Sequence, residues 1–387
     1  MKCSGINVAT NEVVEVSFGT SIESVEPVLR KLENPPFLAP GWIDLQVNGF
    51  AGVDYNSPTA AHEEIARSIR VLHSCGVTRM LATVITGPQA GMAGALRNLA
   101  AAREQLPDGE TIEGLHVEGP YISPEDGPRG AHPRRWVRPP SLEEFARLQE
   151  AAGGLIRLVT LAPEWPGASR FIEALVGLGV VVSIGHTNAT TDEIATAVSA
   201  GATMSTHLGN AAHHALPRRT NYILDQLAEN RLAASFIVDG IHLLPAFLKV
   251  ALRAKGVERS VLITDAVAPA GCRPGRYVLG EIEVELMPDD RVVLAGETVP
   301  AGETRLAGSA LRMDQGVGNL MRLAGLSLRE AVATATQNPA RAGRIASRQR
   351  GLAPGDRADL VQFRVDDARH EIRIEKTFVS GREVYAA

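Results

Sequence analysis

Five short stretches end an apolar run in a residue able to bind a metal or move a proton. "LHVEGP" supplies Glu118, "VSIGHTNAT" His186, "STHLGN" His207, "IVDGIH" Asp239 and His242, and "LITDAVAPAG" Asp265. Two imidazoles and one carboxylate make the three-ligand set of a catalytic Zn²⁺, with a fourth position left for water. A separate aspartate, Asp265, suits a general base for that water. Amide hydrolysis uses such a group twice, first to take a proton from water and then to return it to the departing amine. Taken singly, each residue reads as an ordinary structural one, a hydrogen-bonded histidine or a carboxylate that caps a helix. Their recurrence at successive strand ends argues for a common site.

The elements that must position them follow from the rhythm of the chain. Apolar runs of strand length fall at 42–47, 79–85, 113–117, 156–161, 180–184, 203–206, 233–238 and 261–264. Amphipathic stretches such as "AAHEEIARSIRVLHS" and "SLEEFARLQEAAG" lie between most of them, the second with a Ser cap and a Glu three residues later. This alternation predicts an α/β chain: a (β/α)8 TIM-type barrel, whose reacting groups gather where the strands end. The barrel is expected over residues 39–347, after the proline-rich boundary "NPPFLAPG". Strand-rich segments at 1–38 and 348–387 are expected to pair into a small β-sandwich. Residues 280–300 break the rhythm and predict an inserted β-hairpin turning at Pro288-Asp289-Asp290. One final helix is expected near "SLREAVATATQNPARAG", and another at "TNYILDQLAENR".

Other polar residues carry less. His116 shares a strand face with Glu118 and is expected to line the barrel below the metal. His132 lies on a Gly/Pro-rich loop, where it is either a binding group or an exposed histidine. His213-His214 read as a solvated loop pair, and His62 and His73 as surface or helix-end residues. Net charge is −5 with pI about 6.1, which offers nucleic acid no basic field. There is no apolar segment of membrane length, and the N-terminal residues lack a signal-peptide core. The three cysteines are far apart, as in a reducing cytoplasm.

"PGWIDLQVNGFAGVDYN", "GLHVEGPYISPEDGPRGAHP", "VTLAPE", "VSIGHTNAT", "THLGNA", "VDGIHL", "LITDAVAPAG", "LAGSALRMD" and "NPARAGR…GLAPGDRADLV" occur in this order. Together they resemble the N-acetylglucosamine-6-phosphate deacetylases of the amidohydrolase superfamily over almost the whole chain. The resemblance implies one divalent metal ion, zinc first among zinc, iron, cobalt and manganese, held by Glu118, His186 and His207. It implies Asp265 as catalytic acid/base and His132 as the group that polarises the scissile carbonyl. It implies substrate contacts from Ala131, His132, Asn210, Ala211, Asp239, Gly240, Ile241, His242, Leu306, Ala307 and Gly308, and a homodimer in which an arginine reaches the partner's substrate phosphate. That arginine falls on Arg218, beside Arg219.

The family resemblance also bears on "GWIDLQVNG". Gln46 and Asn48 stand where many metal-dependent barrel hydrolases carry His-x-His. Carboxamides are poor ligands for a transition metal, so one ion is expected and both side chains should hydrogen-bond neighbours or water. The segment after "THLGNA" departs from the family pattern, and Gly209 stands where an aromatic is usual. The activity implied is deacetylation of an N-acetyl amino sugar 6-phosphate. The alternatives are a deacetylase or aminoacylase of a non-phosphorylated N-acyl substrate, and a non-catalytic sugar-phosphate-binding protein.

Overall fold

The apolar runs that follow Pro40 fold as strands because helices cover them outside and their own side chains fill the ring inside. The computed structural model describes residues 1–29, 32–296 and 305–387. Its eight-stranded sheet consists of Trp42–Val47, Val77–Ile85, Ile112–Glu118, Ile156–Leu161, Val181–Ile184, Met204–Ser205, Ala233–Ile237 and Ser260–Ile263. The strands are parallel and follow chain order around the sheet. The first and eighth meet through a short junction: Asp265 N–H donates to the Gln46 carbonyl at 3.0 Å, and Asn48 N–H to that of Ala266 at 2.7 Å. The barrel expected from the sequence is present, nearly closed.

Its interior is layered. Leu81, Leu158, Val181 and Val261 make an apolar floor, sealed by Ala340 and Ile345. Above it runs a belt of hydroxyls and one imidazole. His116 lies 3.3 Å from Thr83 and 2.8 Å from Thr160; Thr160 lies 2.7 Å from Thr206, which lies 2.6 Å from Ser183. Burial pushes His116 down to about 4, so it sits there as a neutral imidazole. The candidate metal ligands form the next layer, at the mouth.

The outer helices start where the sequence signals them. Ser141 accepts from Glu144 N–H as the predicted cap, while the Glu144 carboxylate turns to Arg138. Thr190 and Ser327 form capping boxes with Glu193 and Glu330. The helix expected at "TNYILDQLAENR" runs Tyr222–Ala228. Where one final helix was expected there are two, Leu328–Thr334 and Gln337–Ala342. The Pro339 ring would clash with the Ala335 carbonyl in a continuous helix, so the chain breaks at Thr336 and Pro339 falls in the first turn of a new one. His73 ends its helix but is buried, 2.9 Å from Thr111 Oγ1. Among the described residues no helix is long and apolar enough to cross a membrane.

Both terminal segments share a seven-stranded sheet, in the order Arg382–Ala386, Glu371–Val379, Leu360–Asp366, Phe37–Pro40, Lys2–Asn7, Val13–Phe18, Ile22–Pro27. It folds over itself. Phe18 and Phe378, from strands well separated in that order, meet edge-on at 5.4 Å around a core that includes Val16, Leu38 and Leu360. A buried ion network ties this sheet to the barrel. Asp359 accepts from Arg79 Nε at 2.8 Å and Nη2 at 2.9 Å, and from Arg348 at 2.5 Å.

The hairpin expected after the eighth strand is present, Ile282–Leu286 with Val292–Leu294, and a strand ahead of it, Gly275–Leu279, makes a three-stranded antiparallel meander among the described residues. The predicted turn joins its second and third strands, closed by Met287 N–H to the Arg291 carbonyl. Its first strand is exposed at alternate residues, Arg276 and Val278. An exposed valine there hid the alternation that marks a half-buried strand. Residues 297–300 of the expected insertion lie outside the described residues.

Candidate metal centre and active site

Glu118 closes the third strand, and His186 and His207 lie two residues beyond the fifth and sixth. His207 Nε2 is 3.0 Å from Glu118 Oε1, His186 Nε2 is 3.3 Å from the same oxygen, and the two nitrogens are 3.1 Å apart. A tetrahedral cation about 2.1 Å from each donor needs donor separations of about 3.4 Å, so the set fits a metal ion with a few tenths of an ångström of adjustment. All three side chains are buried. His186 Nδ1 is 2.9 Å from the Pro128 carbonyl, which fixes its proton there and leaves the Nε2 lone pair facing the site. The His207 backbone N–H donates to Ser235 Oγ at 2.8 Å, which sets that strand end.

The charges are arranged to match. Burial opposes ionisation of Glu118, but the hydrogen bonds and charges of His186 and His207 outweigh it and hold the carboxyl well below its usual range. Burial likewise opposes protonation of His207, and Glu118 outweighs it, raising that imidazole. A cation satisfies the same carboxylate without those protons. His186, His207 and Asp265 all have left-handed backbone, φ 52°, 30° and 51°. Non-glycine residues rarely adopt this conformation, and it aims the three side chains into the mouth.

Asp265 is fixed by the two carboxamides of the first strand. Gln46 Nε2 donates to Asp265 Oδ1 and to Glu118 Oε1, each at 2.9 Å, and Asn48 Nδ2 donates to Asp265 Oδ1 at 2.8 Å. Among the described residues no hydrogen bond engages Oδ2. Burial, and then the negative charge of Glu118, push the Asp265 carboxyl up to about 6. The expected role of Gln46 and Asn48, hydrogen bonding to neighbours, is thus realised as a strap between a ligand and the aspartate.

His132 stands edge-on to His186, with ring centroids 4.4 Å apart, and its Nε2 is 4.0 Å from Glu118 Oε2. Burial first, then the charge of His186, push it down to about 3, so it is neutral at ordinary pH. Its Nδ1 lies 2.8 Å from Thr86 Oγ1. The same hydroxyl lies 3.4 Å from the Glu118 carbonyl, the more distant acceptor; given to Nδ1, its proton leaves that of His132 on Nε2, facing the metal set.

These groups open on a cavity of about 460 Å³. Ala131, Asn210, Ala211, His242, Leu306, Ala307 and Gly308 line it. Asp239 stands behind His242: its Oδ2 lies 2.6 Å from His242 Nδ1 and its Oδ1 accepts from the Ile241 and His242 N–H groups. Gly240, with φ 80°, turns the chain between them. Arg218 is exposed and lies outside the lining. His213 and His214 line the cavity, and His213 is bonded to the Tyr222 hydroxyl. Gly209 is explained by its neighbour: a Cβ there would meet the Phe247 ring at 2.7 Å.

The amidohydrolase family model matches residues 37–384. The chain is also 33% identical over 341 residues to the N-acetylglucosamine-6-phosphate deacetylase of Bacillus subtilis (strain 168), covering 87% of this chain and 83% of that one. The chain belongs to the N-acetylglucosamine-6-phosphate deacetylase family of amidohydrolases. The Bos taurus deacetylase is similar at 36% identity over 365 residues, covering 90% of this chain and 83% of that one. The crystal structure of the Mycobacterium smegmatis deacetylase superposes with TM-score 0.87 at 29% identity and covers all of both chains. In this amidohydrolase, sequence reasoning missed three supporting groups: Thr86, Ser235 and the Pro128 carbonyl. Thr86 directly follows the second barrel strand, and a polar residue at a strand end was the available signal.

Proposed function

We propose that this amidohydrolase removes the acetyl group of an N-acetyl amino sugar 6-phosphate, N-acetylglucosamine 6-phosphate first, giving the amino sugar phosphate and acetate. The observation that carries the reading is the meeting of Glu118, His186 and His207 at one point, with Asp265 strapped beside them. The names of the relatives supply the substrate class. A divalent ion bound to the three ligands supplies Lewis acidity, lowering the pKa of a water and polarising the acyl oxygen. Zinc suits the donor set best, and iron, cobalt or manganese also fit it.

The chain's own residues do the rest. Neutral His132 donates from Nε2 to the oxygen as charge develops there. Asp265 takes the proton of the attacking water, aided by a pKa already raised towards neutrality, and passes it to the leaving nitrogen. Asp265→Asn is expected to retain the metal and lose turnover by several powers of ten. Wild-type rates in that variant would remove Asp265 from the role.

We further propose a homodimer in which Arg218 reaches the partner's substrate phosphate. Support comes from the exposed Arg218 and from Leu224, Leu244 and Val250, which are 54%, 67% and 58% exposed on the two helices that follow it. The buried free thiols of Cys3 and Cys75 fit a cytoplasmic setting. The position of Arg218 outside the cavity also favours a second reading, a deacylase indifferent to phosphate. Acetate release from N-acetylglucosamine with and without 6-phosphate, in wild type and Arg218→Ala, separates the two. Selective loss on the phosphorylated sugar supports the first, and equal rates support the second.

A further inference from the structure

The cavity lining is of two kinds, with exposed Arg305 beside the apolar one, and the apolar kind adjoins the reacting groups along the chain. Asn210, His213 and His242 offer hydrogen bonds. Ile85, Ala131, Val267, Leu279, Ile282 and Ala307 form one continuous apolar cluster. Ile85 pairs in register with Glu118, Ala131 precedes His132, Val267 lies two residues past Asp265, Leu279 and Ile282 belong to the meander, and Ala307 N–H donates to the Val292 carbonyl of its third strand at 3.0 Å.

The wall is held in place. Glu281, in the turn between Leu279 and Ile282, accepts from Arg135 at 2.6 Å and from Trp136 Nε1 at 2.9 Å. Gly280 N–H donates to Asp54 Oδ2 at 2.7 Å.

An amide bond at the reacting groups has an amino sugar on one side and an acyl chain on the other. The hydroxyl-rich sugar needs the hydrogen-bonding lining, and burying its hydroxyls against the apolar wall would leave them unpaired. From this, and resting on the deacetylase reading, we infer that the wall made by the meander, Ile85 and Val267 is the acyl pocket, and that it selects short, unfunctionalised acyl groups. Leu279 limits the chain length, and the wall discriminates against a hydroxylated acyl group.

The test measures carboxylate release from N-acetyl, N-propionyl, N-butyryl and N-glycolyl glucosamine 6-phosphate. Propionyl and glycolyl are nearly isosteric and differ in a terminal methyl against a hydroxyl. Wild-type kcat/KM is expected to favour propionyl over glycolyl by about 10- to 100-fold, the range for an apolar pocket facing an added hydroxyl. Leu279→Ala is expected to raise butyryl relative to acetyl by about tenfold or more, the worth of one to two methylenes. Equal rates on propionyl and glycolyl would overturn the inference without a variant. So would a Leu279→Ala enzyme whose KM rises equally for every acyl group, because the wall would then hold the sugar ring. Release from none of the four substrates would instead overturn the deacetylase reading itself.

Discussion

Replacing Gln46 with methionine keeps side-chain volume and removes a single donor group that serves two carboxylates. Gln46 is buried, and its Nε2 gives one hydrogen bond to Glu118 and one to Asp265, both at 2.9 Å. A hydrogen bond to a charged group contributes about 1.5–3 kcal/mol, roughly one to two powers of ten in an equilibrium or rate constant. The two losses fall on different observables. The bond to Glu118 orients a proposed metal ligand, so its loss should weaken metal affinity about 10- to 100-fold. The bond to Asp265 orients the proposed proton carrier, and its loss should lower kcat at saturating metal by about tenfold, because Asn48 still donates to the same oxygen at 2.8 Å. The first effect is read by competing metal-stripped protein against a chromophoric chelator. The second is read by acetate release with metal in excess. A Gln46→Met enzyme within twofold of wild type in both would refute the strap. A loss in affinity alone would confine Gln46 to the ligand side.

Thr86→Val removes the hydroxyl that sets the His132 tautomer; kcat should fall about tenfold with KM little changed, a loss felt in the transition state. Equal loss in KM would move Thr86 to substrate binding. Asp359→Asn leaves buried Arg348 without a carboxylate and Arg79 with only Glu110 and Glu113, and should cost about 3–5 kcal/mol in urea unfolding. The same group has a pH signature. Burial acts to raise the Asp359 carboxyl, but Arg348 and Arg79 outweigh it and hold it below its unfolded value of about 3.9. Its contribution is therefore full above that value and is lost as pH falls towards the lower folded value. The wild-type urea midpoint should fall with acid over that window, and the Asn variant should lack that part of the slope.

The barrel was legible because buried parallel strands demand unbroken apolar runs, and the candidate ligands stand out because they follow those runs directly. What was not legible depends on partners distant in sequence. Thr86 is an ordinary threonine until His132, 46 residues later, folds against it. His73 looks like a polar helix end, yet its helix packs so that Thr111 receives the ring. Arg79 interrupts an apolar run and reads as a strand boundary, while it is in fact buried against Asp359, 280 residues on. The first strand of the meander was obscured by exposed Val278, whose apolar side chain stands on a wet face. The break between the last two helices was readable from Pro339 in hindsight, since the clash it causes is local.

The sheet that gathers both chain ends also sets an order of events during synthesis. Phe37–Pro40 has Lys2–Asn7 on one side and Leu360–Asp366 on the other. The second neighbour leaves the ribosome only after the whole barrel sequence has been made. Until then that strand presents an open edge of unpaired amides, the kind of surface to which other nascent chains add.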